Sequence, residues 1–380
     1  MPAINLVQTT VLVIFTVNAL LLLALIVLKE VHRRRMTSRA LRRTAYIALI
    51  GSHLADPESA EPIDSRVAQD PAFLDALIDV RNTLTGTDIA TLSGIIDASG
   101  VTEHQASLLR KRFPRGRRQQ AAMVLAELGD ESSAQALIEH LDDHEAEVRI
   151  QCARGLGRMG WTPAIDAIVS RLGQETPWVR SRFADTLVGF GSKATWPLVA
   201  YIKVNHPFEI GGPVAAIRAL ATIGDDTAVR PLIGVLQQAD DPEIQIATVE
   251  ALGSLRGPLA VPVLHELSRS RDWRLRAKAA TALGQIGLPA SLPVLANGLR
   301  DLNWWVRRNS ARALTLIPGG IDMLYKALDD HDRFARDAAA EALVDIGELA
   351  AVRQRLDAGE PTDRDQALIG HMEGPEELAS

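Results

Sequence analysis

The chain has 380 residues, 47% hydrophobic and 23% charged, with a formal net charge of −6 and one cysteine, Cys152. That balance belongs to a folded protein and excludes a disordered chain or a disulfide-stapled scaffold. Aromatics make up only 4% of residues while Ala and Leu abound, a mixture that favours helices.

The charge is unevenly spread. Residues 1–28 carry none, residues 29–43 hold seven basic residues and one acid, and the remainder sits at −12. An acidic body argues against nucleic acid as a partner, because phosphate binding needs a basic face.

Ile4 to Leu28 reads INLVQTTVLVIFTVNALLLLALIVL. As a helix this run rises about 37 Å, enough to cross a hydrocarbon core. No basic residue precedes it, whereas Arg33, Arg34, Arg35, Arg39, Arg42 and Arg43 follow it. These flanks predict a transmembrane anchor over 1–28 rather than a cleaved signal peptide. The positive-inside rule then predicts a single-pass protein with its amino terminus outside and the rest in the cytoplasm. The juxtamembrane segment 29–43 is expected to meet anionic lipid headgroups through those arginines. Asn18 lies near mid-span and has two readings: a hydrogen bond to a neighbouring membrane helix, or one tolerated amide.

Residues 44–113 are expected to form a divergent helical capping region. Between 44 and 109 there are ten acids and two arginines. Amphipathic patterns over 70–84, 88–99 and 102–113 predict three helices. The basic run RKRFPRGRR at 110–118 is read as pairing within the protein.

From 114 to 357 one element recurs eight times. Its shared leucine falls at Leu125, Leu156, Leu187, Leu220, Leu252, Leu283, Leu314 and Leu343, with steps between 29 and 33 residues. Each copy predicts two helices. The first carries an apolar stripe such as Val148, Cys152, Leu156 and Met159. It begins at cap residues such as Thr176, Asp241, Asp272, Asn303 and Asp332, and it ends at Gly160, Gly191, Gly224, Gly287 or Gly347. The second carries Pro197, Pro231, Pro262 or Pro293 in its first turn. Arg149, Arg180, Arg276, Arg307 and Arg336 share one column and predict salt bridges between repeats. Gly212 and Pro213 interrupt that column and predict a local irregularity. A hairpin of this size cannot bury its own apolar face, so the copies must stack. Residues 358–380 read as a polar tail with room for a short helix.

The VR…A…LG.(I/M)G strings and the second-helix prolines resemble the short, phycobilin-lyase-type HEAT repeat. The resemblance implies an all-α chain: a transmembrane helix followed by an α-solenoid of HEAT-like hairpins. Bacterial proteins with this arrangement are similar to accessory subunits of envelope glycosyltransferase or polysaccharide systems, which implies the bacterial inner membrane.

No P-loop, dinucleotide fingerprint, CxxC pair or HExxH string occurs. His144-Glu145 falls in a loop between repeats and His265-Glu266 on a second helix, so the two pairs are not expected to converge on a metal. No catalytic, cofactor or metal residue is assigned. Trp273, Trp304, Trp305 and Phe334 fall in the first turns of three consecutive first helices: Trp273 holds the Trp304 position one repeat earlier, and Phe334 and Trp178 hold the Trp305 position in repeats eight and three. Two readings stand for this row. Either the rings cover the preceding repeat with an arginine such as Arg308 stacked on them, or they form a partner-binding ridge. The function expected is a non-enzymatic scaffold that binds a protein, itself a membrane protein, at the cytoplasmic face. The alternative is a bilin-lyase-like or lipid-modifying enzyme using the concave face.

Overall fold

The computed structural model describes residues 2–56, 63–84, 88–110, 112–204, 209–359 and 362–373, except the side chains of residues 2–16, 19 and 89. Every regular element among the described residues is helical. The chain divides into two compact units, Met1–Met159 and Gly160–Ser380.

The first unit contains α1 (Pro2–Ala55), α2 (Pro71–Thr83), α3 (Asp88–Ser99), α4 (Val101–Leu108), α5 (Arg115–Leu128), α6 (Glu131–Glu139) and α7 (Ala146–Met159). The second contains α8 (Ile165–Arg171), α9 (Pro177–Gly189), α10 (Thr195–Lys203), α11 (Gly211–Ile223), α12 (Val229–Gln238), α13 (Pro242–Ser254) and α14 (Val261–Leu267). It continues with α15 (Trp273–Ile286), α16 (Leu292–Gly298), α17 (Trp304–Thr315), α18 (Gly320–Ala327), α19 (Arg333–Asp345), α20 (Glu348–Asp357) and α21 (Asp363–Glu373). Odd-numbered helices from α5 to α19 are the first helices of hairpins and the even-numbered ones are the second.

The repeat is written into the burial pattern. All eight repeat leucines are 0% exposed. Asp241, Asp272, Asn303 and Asp332 each accept a backbone N–H two residues on, so the helix starts follow from side-chain capping. Thr176 makes no such bond, and α9 begins instead on Pro177. Four residues after the shared leucine the backbone turns left-handed, at Gly129, Gly160, Gly191, Gly224, Gly287 and Gly347. In the α13 repeat Arg256 holds that place at φ 49, the one non-glycine residue of positive φ described.

Successive first helices approach very closely. A Cβ on Gly253 would lie 2.8 Å from the Ala282 Cα, and one on Gly284 would lie 2.7 Å from the Cα and Cβ of Ala313. In the first unit Gly155 meets the Ala126 Cβ in the same way, at 2.9 Å. Glycine and alanine therefore set the spacing of these first helices, while the repeat leucines are fully buried.

The expected irregularity falls at α11. Gly212 stands where every other repeat carries a larger residue, and the Glu209 carboxylate accepts the Gly212 N–H at 2.8 and 3.0 Å. Arg180 of the preceding repeat pairs with Glu209 at 2.8 Å.

At the amino terminus the structure corrects the membrane reading. Among the described residues no helix is long and apolar enough to cross a membrane. The expectations of a transmembrane helix and of a single-pass inner-membrane location are withdrawn on that finding. Much of the expected span, the side chains of residues 4–16 and Ala19, lies outside the described residues. The basic segment is also engaged by protein. It continues the same helix, and Arg39 pairs with Asp75 on α2 at 2.6 Å. Arg42 pairs with Asp70 at 3.1 Å and Arg43 pairs with Asp79, while Arg33 and Arg34 both reach Glu30 at 2.9 Å. Of the arginines that were expected to face lipid headgroups, Arg39, Arg42 and Arg43 thus dock α1 against α2 and its cap residue Asp70, whereas Arg33 and Arg34 pair only within α1. Arg35 and Asn18 are exposed.

Close helix approach predicts that Gly284→Val overpacks the α15–α17 contact. Thermal unfolding should show a loss of about 1–3 kcal/mol, whereas Thr281→Ala on the exposed side of α15 should leave the midpoint unchanged.

A second expectation concerns acid. Asp330 is held below the usual carboxylate range by Arg300, and Asp365 by Arg355 with the Thr362 N–H and hydroxyl. A carboxyl whose folded pKa is depressed adds stability above its unfolded value, near 4, and loses it as pH falls through the folded value. The melting temperature should hold from neutral pH to about pH 4 and fall below it. Asp365→Asn should flatten that acid limb.

Candidate protein-interaction surface

The surface is built from the loop that links each second helix to the next first helix. In the sixth, seventh and eighth repeats these loops are Ser270-Arg271-Asp272, Asp301-Leu302-Asn303 and Asp330-His331-Asp332. Their acids and amides turn inward and spend their oxygens on backbone. Asp301 accepts the Asn303 N–H at 2.8 Å and Asp330 accepts the Asp332 N–H at 2.9 Å.

The arginine column locks the loops together. Arg276 on α15 grips Asp301 of the next loop with two bonds of 2.7 and 2.8 Å, and it donates to the Ser270 carbonyl at 2.9 Å. Arg300 pairs with Asp330 in the same sense, one repeat on. Arg307 and Arg336 fold back to donate to the carbonyls of Asp301 and Asp330 at 2.9 and 2.7 Å. Each guanidinium thus satisfies the carbonyls of a loop that no helix serves. Arg149 does the same for Asp143 at 2.7 Å in the first unit.

With the loops fixed, the first helical turns carry their rings outward. Trp273 is 40% exposed, Trp304 44%, Trp305 52% and Phe334 58%. Trp304 and Trp305 meet edge to face, with centroids 4.7 Å apart. Arg308 lies over the Trp304 ring at 5.1 Å and pairs with Glu341 of the next repeat at 3.1 Å. Arg307 lies over the Phe334 ring at 4.7 Å. The arginines back the rings and hold their tilt, yet about half of each ring faces solvent. Trp178 is 53% exposed on the first turn of α9 in the same unit.

One contributor escapes a reading based on helix periodicity. Leu302, at the tip of the seventh loop, is 99% exposed and stands beside Trp304 in sequence. The signal was the aligned loop column Arg271, Leu302, His331, in which an apolar residue has no core to enter.

The His-Glu pairs lie in different units. His144 sits against the buried Arg118–Asp143 pair at 3.3 Å, and His265 lies 3.2 Å from the Ser291 hydroxyl. Among the described residues no group of three or more His, Cys, Asp or Glu is arranged to hold a metal ion.

Stacked two-helix repeats of this form, with left-handed turns at the ends of most first helices, define an α-solenoid. A model of HEAT repeats matches residues 103–188, 212–271, 230–315, 261–343 and 292–370, well over half of the chain. The chain belongs to the HEAT-repeat proteins. It is 27% identical over 104 residues to the phycocyanobilin lyase subunit beta of Thermosynechococcus vestitus, a match covering 27% of this chain and 47% of that one. The chain therefore spans about half the length of that relative. Among solved structures it is similar to the complex of CpcE and CpcF of phycocyanin lyase from Nostoc, with TM-score 0.30 and 19% identity over 64% of this chain and 94% of that one. It is also similar to Kap121p, with TM-score 0.50 and 14% identity over 81% of this chain and 42% of that one. The structural likenesses speak to fold alone.

The likeness to a lyase subunit corrects the expectation that the chain is not an enzyme. An association with glycosyltransferases, contact with lipid headgroups and a membrane-protein partner find no support in these similarities.

Proposed function

We propose that this chain is a protein-docking HEAT-repeat subunit, and that Trp273, Trp304, Trp305 and Phe334, with Arg308 behind them, form its contact surface. One observation carries the reading. In a chain with 4% aromatics, four large rings stand 40–58% exposed on the first turns of three successive repeats. Scattered exposed rings are ordinary, but a row of them on a rigid frame is not. Trp and Arg also dominate binding hot spots, and solenoids present long surfaces to partners. Trp178 extends the candidate surface to an earlier repeat. A lyase-type activity is the second reading, favoured by the identity to a phycocyanobilin lyase subunit.

A photo-crosslinking residue placed at Trp305 or Phe334 is expected to give one discrete adduct in cells. The same residue at exposed Pro262, on a second helix, should give none. Trp304→Ala with Trp305→Ala should keep full helicity while cutting capture of that adduct's protein by at least about tenfold, the scale of a hot-spot loss. No adduct at either ridge position, or the same products at Pro262, would remove the docking reading.

The lyase reading is checked separately. Purified chain mixed with phycocyanobilin should shift the absorption spectrum of the bilin. A spectrum that stays flat at saturating protein would eliminate it.

A further inference from the structure

The surface around the rings has a chemistry of its own. Residues 256–312 contain ten Lys and Arg against three Asp and Glu, a basic block within an acidic chain. The acids of the three loops are turned away from a visitor. Asp272, Asp301, Asp330 and Asp332 each accept a backbone N–H at a turn or helix start. Asp301 and Asp330 are further neutralised by Arg276 and Arg300. Outward-facing groups at the same loops include Arg271 and Arg333, both exposed; no Asp or Glu among the described residues is within ion-pair reach of Arg271, and Arg333, 79% exposed, makes one long pair with Asp337 at 3.6 Å on its own helix. The row therefore presents π faces alternating with cationic tips.

Geometry selects the backbone that can follow such a row. Packed helices are spaced by about 8–10 Å, so equivalent rings on consecutive repeats step by roughly that distance. A polyproline II helix brings every third residue to the same side and rises about 9 Å per three residues. A β-strand brings residues to one face at steps of about 7 or 13 Å, which fits the repeat poorly. An α-helix places anchors about 10 Å apart at seven-residue intervals, but it needs a groove to lie in, whereas these rings stand out from an edge.

We propose that the aromatic row receives an acidic, proline-rich segment bound as a polyproline II helix across three successive repeats. Prolines stack on Trp273, Trp304 or Trp305 and Phe334, and carboxylates between them meet Arg271 and Arg333. This rests on the docking reading above and assigns its partner by chemistry.

The test uses the full chain and a fluorescein-labelled peptide of about six Pro-Pro-Glu triplets, whose backbone is already polyproline II. Fluorescence anisotropy should show saturable binding that weakens at least tenfold on raising the salt from low to high ionic strength. The Trp304→Ala, Trp305→Ala variant should lose at least about tenfold in affinity, and so should Arg271→Glu with Arg333→Glu, with circular dichroism unchanged in both. Equal binding of the Pro-Pro-Lys counterpart would overturn the proposal, as would tighter binding of an acidic alanine-rich helical peptide. Absence of any saturable binding would overturn it too. If the cross-linked adduct at Trp305 still forms while the Pro-Pro-Glu peptide fails to bind, docking survives and the acidic polyproline partner does not.

Discussion

Close contact between consecutive first helices is the constraint from which the rest of this structure follows. Ala313 sits so near Gly284, and Ala282 so near Gly253, that no side chain could stand between the helices. At that distance the helices cannot slide or rotate without backbone collision, since packed interiors tolerate little change in volume. The register between repeats is fixed, and with it the position of every first turn. Trp273 and Trp304 fall in line because Gly284 leaves α15 and α17 no other way to lie, and Phe334 continues the row on α19, the next first helix. A polar bond follows the same register: the Asn309 amide donates to the Ala277 carbonyl at 3.1 Å, from α17 to α15.

The same constraint creates a problem at the loops, and the charged residues answer it. Short connections leave carbonyls at the ends of second helices and N–H groups at the starts of first helices without partners. Asp and Asn take the N–H groups, and the arginine column takes the carbonyls. Arg276 does both jobs at once, reaching its own loop at Ser270 and the carboxylate of the next loop at Asp301. Charge that a sequence count assigns to the surface is thus consumed by backbone. The aromatic row remains because rings have no part in this exchange.

Much of this was legible in the sequence because periodicity records burial directly. The eight leucines, the capping Asp and Asn residues and the terminal glycines each name a backbone geometry, and each occupies it. Arg256 is the exception to the glycine pattern: it takes the left-handed turn itself, and the next residue, Gly257, is pressed against Val229. What sequence could not show depends on pairing across distance. Arg118 reads as one of six basic residues in a solvated run, yet it is 2% exposed against Asp143. The collar arginines read as lipid-facing because positive charge after an apolar run has that meaning when no acids are near. Asp70 caps α2 and Asp75 and Asp79 lie one turn apart on it, and only the folded chain brings them to Arg42, Arg39 and Arg43. Thr362 and Asp365 did carry a local signal for α21: each donates its backbone N–H to the other's side chain, at 2.9 and 3.3 Å.

The exposed row and the paired collar can be judged by one rule. A side chain whose chemistry is satisfied within the fold needs no external explanation, whereas one held rigid and left unsatisfied does. Arg39 and Arg43 meet carboxylates on α2, so their charge is accounted for by the docking of α1. Trp304 and Trp305 are different. Their positions are fixed by caps, by Arg308 and by each other, but their outer faces gain nothing from the fold. Ordering a large ring and leaving it in water forfeits the burial that would stabilise it by a few kcal/mol. Leu302 sharpens the point, because an apolar side chain 99% exposed beside two such rings adds nothing to any core. Burial that the fold leaves unclaimed at so rigid a place is available to a partner, and a partner that meets all three repeats gains it without first having to order them.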